Sequence, residues 1–360
     1  MAQIDAFFKM MNEMGASDLH LSAGNQPIVR LHGDLERVKY KLLEHDELKK
    51  LLYEITPEMK IKDFEEKGDV DFAYEVPGMA RYRVNFFNQA RGCAAVFREI
   101  PSEILTVEQL DLPPLLKNLA LLPKGLVLVT GPTGSGKSTT LAAIIDFANK
   151  MRKQHVLTIE DPIEFVHKPQ QCLINQRELG RDTKSFSAAI RGALREDPDI
   201  ILVGEMRDLE TIQLAIEAAE TGHLVFSTLH TISAAKTVDR IIEVFPGDLQ
   251  GQIRSGLSES LRAVVSQTLF KRVDKKGRCA ALEILIGVPA VRNLIRENKT
   301  FQINSVMETG KKFGMQTLDD EISRLLSKGW ISPNEAYEKC LDKAKFKQFL
   351  TKAPNDFTDA

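Results

Sequence analysis

Hydrophobic and polar residues follow different patterns in the two parts of the chain. In the first hundred residues, the pattern predicts an amphipathic helix over residues 1–14 and further helices over residues 47–55 and 57–66. Short runs rich in apolar and aromatic residues predict strands at residues 27–31, 70–74, 80–87 and 94–98. Residues 17–25 form a polar stretch with no predicted element. This mixture of short elements predicts a small α+β domain.

From residue 125 onward, short apolar runs alternate with amphipathic helical patterns. The predicted strands are residues 125–130, 155–159, 199–203 and 223–228, and the predicted helices between them are residues 138–151, 186–195 and 209–219. This alternation is typical of βαβ units whose parallel sheet is covered on both faces. Later elements are an extra strand within residues 170–175, a long helical region over 248–270, a strand at 279–286, a helix at 289–297 and helices within 316–351.

A proline-rich segment separates these two patterns. Residues 99–124 contain Pro101, Pro113, Pro114 and Pro123. Because proline fixes its own backbone and interrupts regular elements, we expect the linker between two domains here. The expected organisation is an N-terminal domain over residues 1–98, the linker over 99–124, an α/β core over 125–287 and a helical C-terminal region over 288–360.

Composition and charge exclude several classes of protein. The 360 residues include 48 Lys and Arg against 50 Asp and Glu, a near balance that disfavours nucleic-acid binding by bulk electrostatics. The four cysteines are far apart and form no CxxC pair, so we expect reduced thiols and no zinc site of the usual spacing. The sequence has no secretory signal pattern and no apolar run of the roughly 20 residues that span a bilayer.

The most specific motif is a phosphate-binding loop. Residues 131–138, GPTGSGKS, match GxxxxGK[ST] between an apolar strand and a helix, the context that this motif requires. Glycines let backbone N–H groups turn toward phosphates, and the helix N-terminus adds a positive dipole. The alternative is a chance glycine-rich turn. The predicted ATP-binding residues are Thr133, Gly134, Ser135, Gly136, Lys137, Ser138 and Thr139, with Ser138 as a ligand of Mg²⁺.

Acidic residues follow two of the predicted strands. The strand at 199–203 resembles a Walker B strand, but Gly204 stands where an Asp often holds the metal. The next residue, Glu205, is the predicted catalytic residue, able to accept a proton from the water that attacks the γ-phosphate. The alternative is an acid that caps the following helix.

A second acidic group follows the strand at 155–159. Because Gly204 offers no side chain, Glu160 is predicted to hold Mg²⁺, through water. Asp161 and Glu164 are secondary candidates, and Asp161 before Pro162 also suits a turn.

Two histidines flank the strand at 223–228. Their spacing of seven residues directs His223 and His230 to opposite faces of a regular strand. His230, at the carboxyl end, is the predicted sensor of the γ-phosphate. His223 is a secondary candidate and more plausible as a structural or interface residue.

With these motifs together, the chain resembles the hexameric ATPases of the secretion superfamily, and more narrowly the retraction ATPases of type IV pili. The resemblance covers almost the whole chain. It is carried by GPTGSGKSTT at 131–140, TIEDPIEFVH at 158–167, REDPDIILVGEMRDLET at 195–211 and TGHLVFSTLHT at 221–231. ASDLHLS at 16–22 and AVRNLIRE at 290–297 add to it, although Val291 stands where this family usually has isoleucine.

The resemblance implies a PAS-like α+β N-terminal domain, a RecA-like P-loop NTPase domain with a parallel-rich sheet, and a ring of six subunits. In such ATPases two arginines of the N-terminal domain face the phosphates. The best matches are Arg83 and Arg98, with Arg81 weaker, and guanidinium groups suit this role because they bind phosphate in a fork. The alternative is a solvent-exposed strand arginine. For Arg207, a structural ion pair is preferred to a role in the site.

The implied function is a motor that hydrolyses Mg-ATP to retract pili and drive twitching motility. The implied partners are five further copies of the chain, an inner-membrane pilus platform protein and an accessory retraction ATPase, and no nucleic acid or zinc is expected. The implied location is cytoplasmic, at the inner membrane through a partner. Alternatives are an accessory retraction ATPase, an assembly or secretion ATPase, a nucleic-acid motor on a RecA-like core, and a nucleotide-switched scaffold. Assembly ATPases usually carry a further domain and a tetracysteine insert, so the lack of CxxC pairs favours the retraction ATPases.

Overall fold

The chain divides into two compact units. The computed structural model describes residues 2–31, 34–100 and 103–350. The first unit comprises Met1–Glu103 together with Pro162–Val166, and the second comprises Ile104–Asp161 and His167–Ala360. The change of unit falls inside the predicted linker, of which residues 101–102 lie outside the described part.

An antiparallel sheet forms the centre of the first unit. Its strands are β1 (Asp18–Ser22), β2 (Ile28–Leu31), β3 (Asp34–Arg37), β4 (Asp69–Val76), β5 (Ala80–Gln89) and β6 (Gly92–Ile100), in the order β3-β2-β1-β6-β5-β4. The helices of this unit are α1 (Asp5–Met14), α2 (His45–Tyr53) and α3 (Glu58–Lys67). Aromatic stacking joins helices to sheet, with ring centroids 4.2 Å apart for Phe8 on Tyr82 and 3.8 Å for Phe64 on Phe86. The predicted α+β character of this domain is confirmed.

The polar stretch at residues 17–25 contains a strand that was not predicted. β1 lies inside this stretch, hydrogen-bonded to β2 on one side and β6 on the other. Leu19 and Leu21 are fully buried, whereas Asp18 and His20 lie on the other face of the sheet, where Asp18 pairs with Arg98 at 2.7 Å. Strict alternation over only five residues was enough for a strand because both neighbours supply hydrogen bonds. β3, which is exposed along its whole length, was not predicted at all.

A seven-stranded sheet forms the centre of the second unit. Its strands are β7 (Gly125–Thr130), β8 (His155–Glu160), β9 (Leu173–Glu178), β10 (Ile200–Val203), β11 (Leu224–Leu229), β12 (Leu261–Lys271) and β13 (Arg278–Ile286). Their order is β13-β12-β7-β11-β10-β8-β9, and the pairs are parallel except for β12 with β13. The predicted RecA-like, parallel-rich architecture is therefore confirmed.

Helices cover both faces of this sheet. They are α4 (Leu115–Ala120), α5 (Lys137–Met151), α6 (Phe186–Ala193), α7 (Leu209–Thr221), α8 (Ala234–Glu243), α9 (Gln250–Ser260), α10 (Pro289–Arg296), α11 (Ile303–Thr309), α12 (Leu318–Ser327), α13 (Pro333–Lys339) and α14 (Lys343–Lys347). Two 3₁₀ turns lie at Thr300–Gln302 and Lys311–Phe313. Alternate residues of β7 enter different cores: Leu126 and Leu128 pack with α7, α8 and α9, whereas Val127 and Val129 pack with α4 and α5. Burial on both faces explains the continuous apolar runs.

The predicted helix over residues 248–270 was wrong in its second half. α9 ends at Ser260, and β12 begins at the next residue without an intervening loop. No glycine or proline marks this break, so the pattern contains no turn signal. β12 is mostly buried between β7 and β13, and this position in the sheet decides its conformation.

The C-terminal part of the predicted linker belongs to the second unit. Leu116 and Leu119 of α4 are buried in the core beneath β7 and α5. The C-terminal helices pack around Phe270 at the end of β12, and the guanidinium of Arg272 lies 4.0 Å from the ring centroid of Trp330. The four cysteines, Cys93, Cys172, Cys279 and Cys340, are all buried and unbonded to one another. No helix within the described ranges is long and apolar enough to cross a membrane.

Candidate functional site

The phosphate loop connects β7 to α5. Gly131, Gly134 and Gly136 have φ angles of 142°, 77° and 85°, values that residues with a side chain rarely adopt. Gly136 is the residue before α5, and no side chain caps this helix. The first amides of α5 are therefore available to an anion at the positive end of the helix.

Lys137 and Ser135 supply the side-chain donors of this loop. The ammonium group of Lys137 donates to the carbonyl oxygens of Gly131 at 2.9 Å and Pro132 at 3.1 Å, which holds it over the loop. The hydroxyl of Ser135 is buried and has no hydrogen-bond partner among the described residues. A buried hydroxyl without a partner is a ready donor to a ligand oxygen. Thr133 and Gly134 are exposed at the rim, and Ser138 and Thr139 are half-buried in the first turn of α5.

Gly204 allows β10 to end closely against β8. Its N–H donates to the carbonyl of Ile159 at 2.8 Å, and its own carbonyl accepts from the hydroxyl of Thr228 at 2.6 Å. A Cβ atom at this position would lie 3.2 Å from the Ile159 carbonyl oxygen and 3.3 Å from Cα of Glu160. The close packing explains why glycine stands where the Walker B pattern often has aspartate, and it makes Glu205 the first side chain beyond the strand.

Glu205 is held by two basic side chains. One carboxylate oxygen accepts from Nη2 of Arg207 at 2.8 Å, and the other lies 2.9 Å from Nε2 of His230. Burial by itself would raise the pKa of Glu205, but the hydrogen bonds and charges of Arg207 and His230 outweigh it and lower that pKa. The Glu205 carboxylate is therefore ionised at neutral pH. Its side chain is 19% exposed, so a small molecule can reach it.

A cavity of about 650 Å³ joins the phosphate loop to these groups. Its lining includes Thr133 of the loop, Glu205, Arg207, His230 and Arg240 of α8. The predicted ATP-binding loop, the predicted catalytic residue Glu205 and the predicted γ-phosphate sensor His230 thus open onto one space. Sequence reasoning had left Arg207 as a structural arginine, although its position two residues after Glu205 was a usable signal.

Glu160 lies at the carboxyl end of β8, next to β10. Its carboxylate accepts from the hydroxyl of Thr158 at 2.7 Å and from Nε2 of Gln176 at 3.2 Å, which fixes the side chain in one orientation. Asp161 is exposed, and its charge adds to that of Glu205, the larger influence, in raising the pKa of Arg207. Glu164 is half-buried in Pro162–Val166, the segment assigned to the first unit.

His223 does not lie with His230. It precedes β11 at the amino end of the sheet, where its Nδ1 is 3.0 Å from the carbonyl oxygen of Ala218. β11 lies between His223 and His230, and seven residues of extended chain correspond to about 23 Å at the usual rise per residue. The structure therefore separates this secondary candidate from the others.

The three arginine candidates of the first unit lie on β5 and β6. Arg83 and Arg98 are directly opposite each other in the strand register, which places both on one face of the sheet. Arg98 donates to Asp18 at 2.7 Å, and Arg83 lies 3.9 Å from Asp71, so carboxylates offset the repulsion between the two guanidinium groups. Both side chains remain substantially exposed, and Arg81 is half-buried. Arg83 and Arg98 thus lie on adjacent, paired strands.

Gln267 of β12 is a residue that sequence reasoning missed. It lies inside the region predicted to be helical, and its amide bonds both the phosphate loop and α5. No motif contains it, and only its place beside β7 brings it to the loop.

Comparisons with known proteins agree with this geometry. The family model described as type II/IV secretion system protein matches residues 2–349. The chain belongs to this family. It is 59% identical to the type IV pilus retraction ATPase PilT of Pseudomonas aeruginosa over 327 residues, covering 91% of this chain and 95% of that protein. It is 56% identical to a twitching motility protein of Neisseria gonorrhoeae over 310 residues, covering 86% of this chain and 83% of that protein.

A solved structure supports the same relationship. The crystal structure of the pilus retraction motor PilT with bound ADP superposes with a TM-score of 0.88 at 45% identity, covering 96% of this chain and 98% of that one. The chain is therefore an ATPase of this family, and its predicted enzymatic class is confirmed. ADP in the related structure also supports a nucleotide as the substrate.

Proposed function

We infer that this protein is a PilT-type motor that hydrolyses ATP to power retraction of type IV pili. The single observation that carries the enzymatic part is the cavity where Thr133 of the phosphate loop meets Glu205 and His230. The pilus assignment rests on the identity of 59% to a retraction ATPase over 91% of the chain.

The phosphate loop binds the nucleotide in this proposal. The uncapped amides at the start of α5 and the Lys137 ammonium receive the β- and γ-phosphates, and Ser135 donates its unpartnered hydroxyl. Glu205, ionised by its contacts with Arg207 and His230, orients the attacking water and accepts its proton. His230 contacts Glu205 directly. A change at the γ-phosphate that moves His230 would therefore also alter the contacts of the carboxylate that activates water.

The residues present fit a magnesium ion held mainly by the nucleotide. Within the described ranges no group of three or more His, Cys, Asp or Glu side chains could hold a metal ion, so these residues form no metal cage of their own. Ser138, in the first turn of α5, and Glu160, acting through water, are the side chains that would complete its coordination. When bound, Mg²⁺ neutralises charge that develops on the phosphates.

The first unit has a part in the same proposal. We propose that Arg83 and Arg98 contact the γ-phosphate, and that its loss releases charge-assisted bonds and lets the domains reopen. The same proposal includes a homo-hexamer in the cytoplasm, docked on the inner-membrane pilus platform protein and working with an accessory retraction ATPase. Sequential closure around the ring would turn hydrolysis into movement.

The decisive test compares Glu205→Gln with Glu210→Gln. Both changes remove one negative charge conservatively, but Glu210 is an exposed residue of α7 that pairs with Arg191 outside the cavity. Glu205→Gln should bind ATP normally and lose about 10²–10⁴-fold in turnover, because it cannot accept the proton. Glu210→Gln should hydrolyse ATP at the wild-type rate.

The assay measures phosphate release, with particle mass from light scattering in the same buffer. Turnover in a particle of six subunits, and loss of twitching in cells that carry only Glu205→Gln, would support the motor. Near-normal hydrolysis by Glu205→Gln would remove this residue from its role, and a stable monomer without turnover would leave only nucleotide binding.

A further inference from the structure

β12 supports the phosphate loop from the side. It runs parallel to β7, with Ser266 level with Thr130 at the end of that strand, and their hydroxyl oxygens are 2.8 Å apart. The next residue, Gln267, therefore lies beside the start of the loop. Its side chain is only 3% exposed, so its amide must find partners inside the protein.

The Gln267 amide bridges the loop and the helix that follows it. Its Nε2 donates to the carbonyl oxygen of Ser135 at 2.6 Å, and its Oε1 accepts from the hydroxyl of Thr140 at 2.6 Å. A carbonyl oxygen can only accept, which fixes Nε2 toward Ser135 and Oε1 toward Thr140. The amide thus has one orientation, set by a residue in the loop and a residue in the first turn of α5.

Two glycines of the loop make room for this strand. A Cβ atom on Gly131 would lie 2.3 Å from the backbone carbonyl oxygen of Gln267, and one on Gly136 would lie 2.8 Å from its Nε2. The loop therefore rests directly on Gln267, with no space for a side chain between them. These contacts give two of the motif's glycines a packing role in addition to their backbone conformation.

The bond to Ser135 determines where an amide of the loop points. The carbonyl of Ser135 and the N–H of Gly136 belong to one planar trans peptide, so they point in opposite directions. Because Gln267 holds the carbonyl toward β12, the N–H of Gly136 is directed away from β12. The orientation of one phosphate-binding amide is thus set from outside the loop.

We propose that Gln267 is a positioning residue that holds the phosphate loop in its nucleotide-binding conformation and so sets the affinity for the nucleotide phosphates. This inference rests on the proposed function, since it assigns the loop to ATP and ADP. Gln267 acts through Ser135 and Thr140 and is not itself a catalytic residue. Its loss should therefore weaken binding of nucleotide much more than it slows a bound nucleotide's hydrolysis.

Gln267→Glu tests the bond to the loop with little change of shape. The carboxylate can still accept from Thr140, but it places an oxygen against the carbonyl oxygen of Ser135, where the amide donated. Gln267→Met removes both bonds and keeps similar volume, and Thr140→Val removes only the bond on the helix side. Ser266→Ala is the matched control, because Ser266 is a buried neighbour on the same strand whose hydroxyl contacts Thr130.

The probe is a fluorescent N-methylanthraniloyl derivative of ADP, titrated into full-length protein, with steady-state ATPase measured in parallel. The dissociation constant and the KM for ATP should rise about tenfold or more for Gln267→Glu and Gln267→Met, with kcat changed by less than about threefold. Thr140→Val should fall between these variants and wild type. Ser266→Ala should bind the probe as wild type does.

Several outcomes would overturn the proposal. One is a folded Gln267→Glu protein that binds the probe within about twofold of wild type, since one lost bond of this kind predicts more. Another is an equal loss in Ser266→Ala, which would indicate general weakening of β12. If Gln267→Glu does not fold, Thr140→Val and Gln267→Met decide by the same criteria. Failure of the proposed function would look different from failure of the Gln267 proposal, because the wild-type protein itself would then show no ATP hydrolysis.

Discussion

Protonation of His167 should make the stability of the second unit depend on pH. The residue lies between β8 and β9 and is 5% exposed, and its Nδ1 is buried with no hydrogen-bond partner among the described residues. Burial disfavours the charged imidazolium and lowers the pKa of His167 to about 4, while the charge of Asp146 opposes this weakly. The unfolded chain carries the same ring in water, with its ordinary pKa of 6.5.

The sign follows from proton binding. Above pH 6.5 His167 is neutral in both states, so its contribution to stability is fully present. As the pH falls toward 4, the unfolded state takes up a proton that the folded state does not, and unfolding becomes more favourable. At 1.36 kcal/mol for each pKa unit, the gap between 6.5 and about 4 corresponds to a loss of about 3 kcal/mol.

The assay is urea unfolding at a series of pH values, for wild type and for two variants that cannot titrate, His167→Gln and His167→Phe. The chain has a single tryptophan, Trp330, whose fluorescence reports on the second unit, where His167 also lies. Subtracting a variant from wild type at each pH cancels every other titrating group. The backbone bond from His167 N–H to Gln176 Oε1, at 2.8 Å, is available to both variants.

Both differences should change by about 3 kcal/mol between pH 7 and pH 4, in the direction that makes wild type relatively weaker at low pH. The two variants will differ from each other by a constant, because a glutamine and a phenylalanine fit the site differently. A difference that stays flat across this range would refute the reasoning, since it would mean that His167 gains its proton in the folded state as easily as in the unfolded one.

Two further predictions concern a backbone position and a core hydroxyl. Gly136→Ala should weaken nucleotide binding about tenfold or more, because Gly136 has a φ of 85° and its Cβ would lie 2.8 Å from Nε2 of Gln267, which would displace the amide from the loop. Gly329→Ala, also at positive φ but with nothing within 4 Å of its Cβ, should bind nucleotide as wild type does, and equal losses in a binding titration would contradict this. Tyr82→Phe should leave the first unit as stable as wild type or up to about 2 kcal/mol more stable, because the buried Tyr82 hydroxyl has no hydrogen-bond partner within the described ranges. Calorimetry would measure this, and a clear destabilisation would show that the hydroxyl has a partner.

The sequence was most informative where a motif and a strand coincide. The apolar run of β7 followed by the glycine-rich loop predicted both bounds of the strand, because every residue of β7 is buried and the glycines end it sharply. Glu205 and His230 could be placed together because both follow parallel strands, whose carboxyl ends share one edge. Their direct contact at 2.9 Å depends on side-chain geometry that no pattern contains.

The sequence was least informative where tertiary neighbours decide the conformation. β1 has only two apolar residues, Leu19 and Leu21, and becomes a strand because β2 and β6 pair with it. β12 follows α9 without a break, and β7 and β13 determine that Leu261 begins a strand. Gln267 was missed for the same reason, since its role exists only once β12 lies beside the loop.

The reactivity of the four buried cysteines can be used to measure local opening of this protein. A thiol reagent can modify Cys93 only when the first unit opens, and Cys172, Cys279 and Cys340 only when parts of the second unit open. Labelling followed by mass spectrometry would thus time the opening of each unit separately. A cysteine introduced on the surface would in turn react far faster than the native four, so a dye could be attached at a chosen site without removing any native thiol.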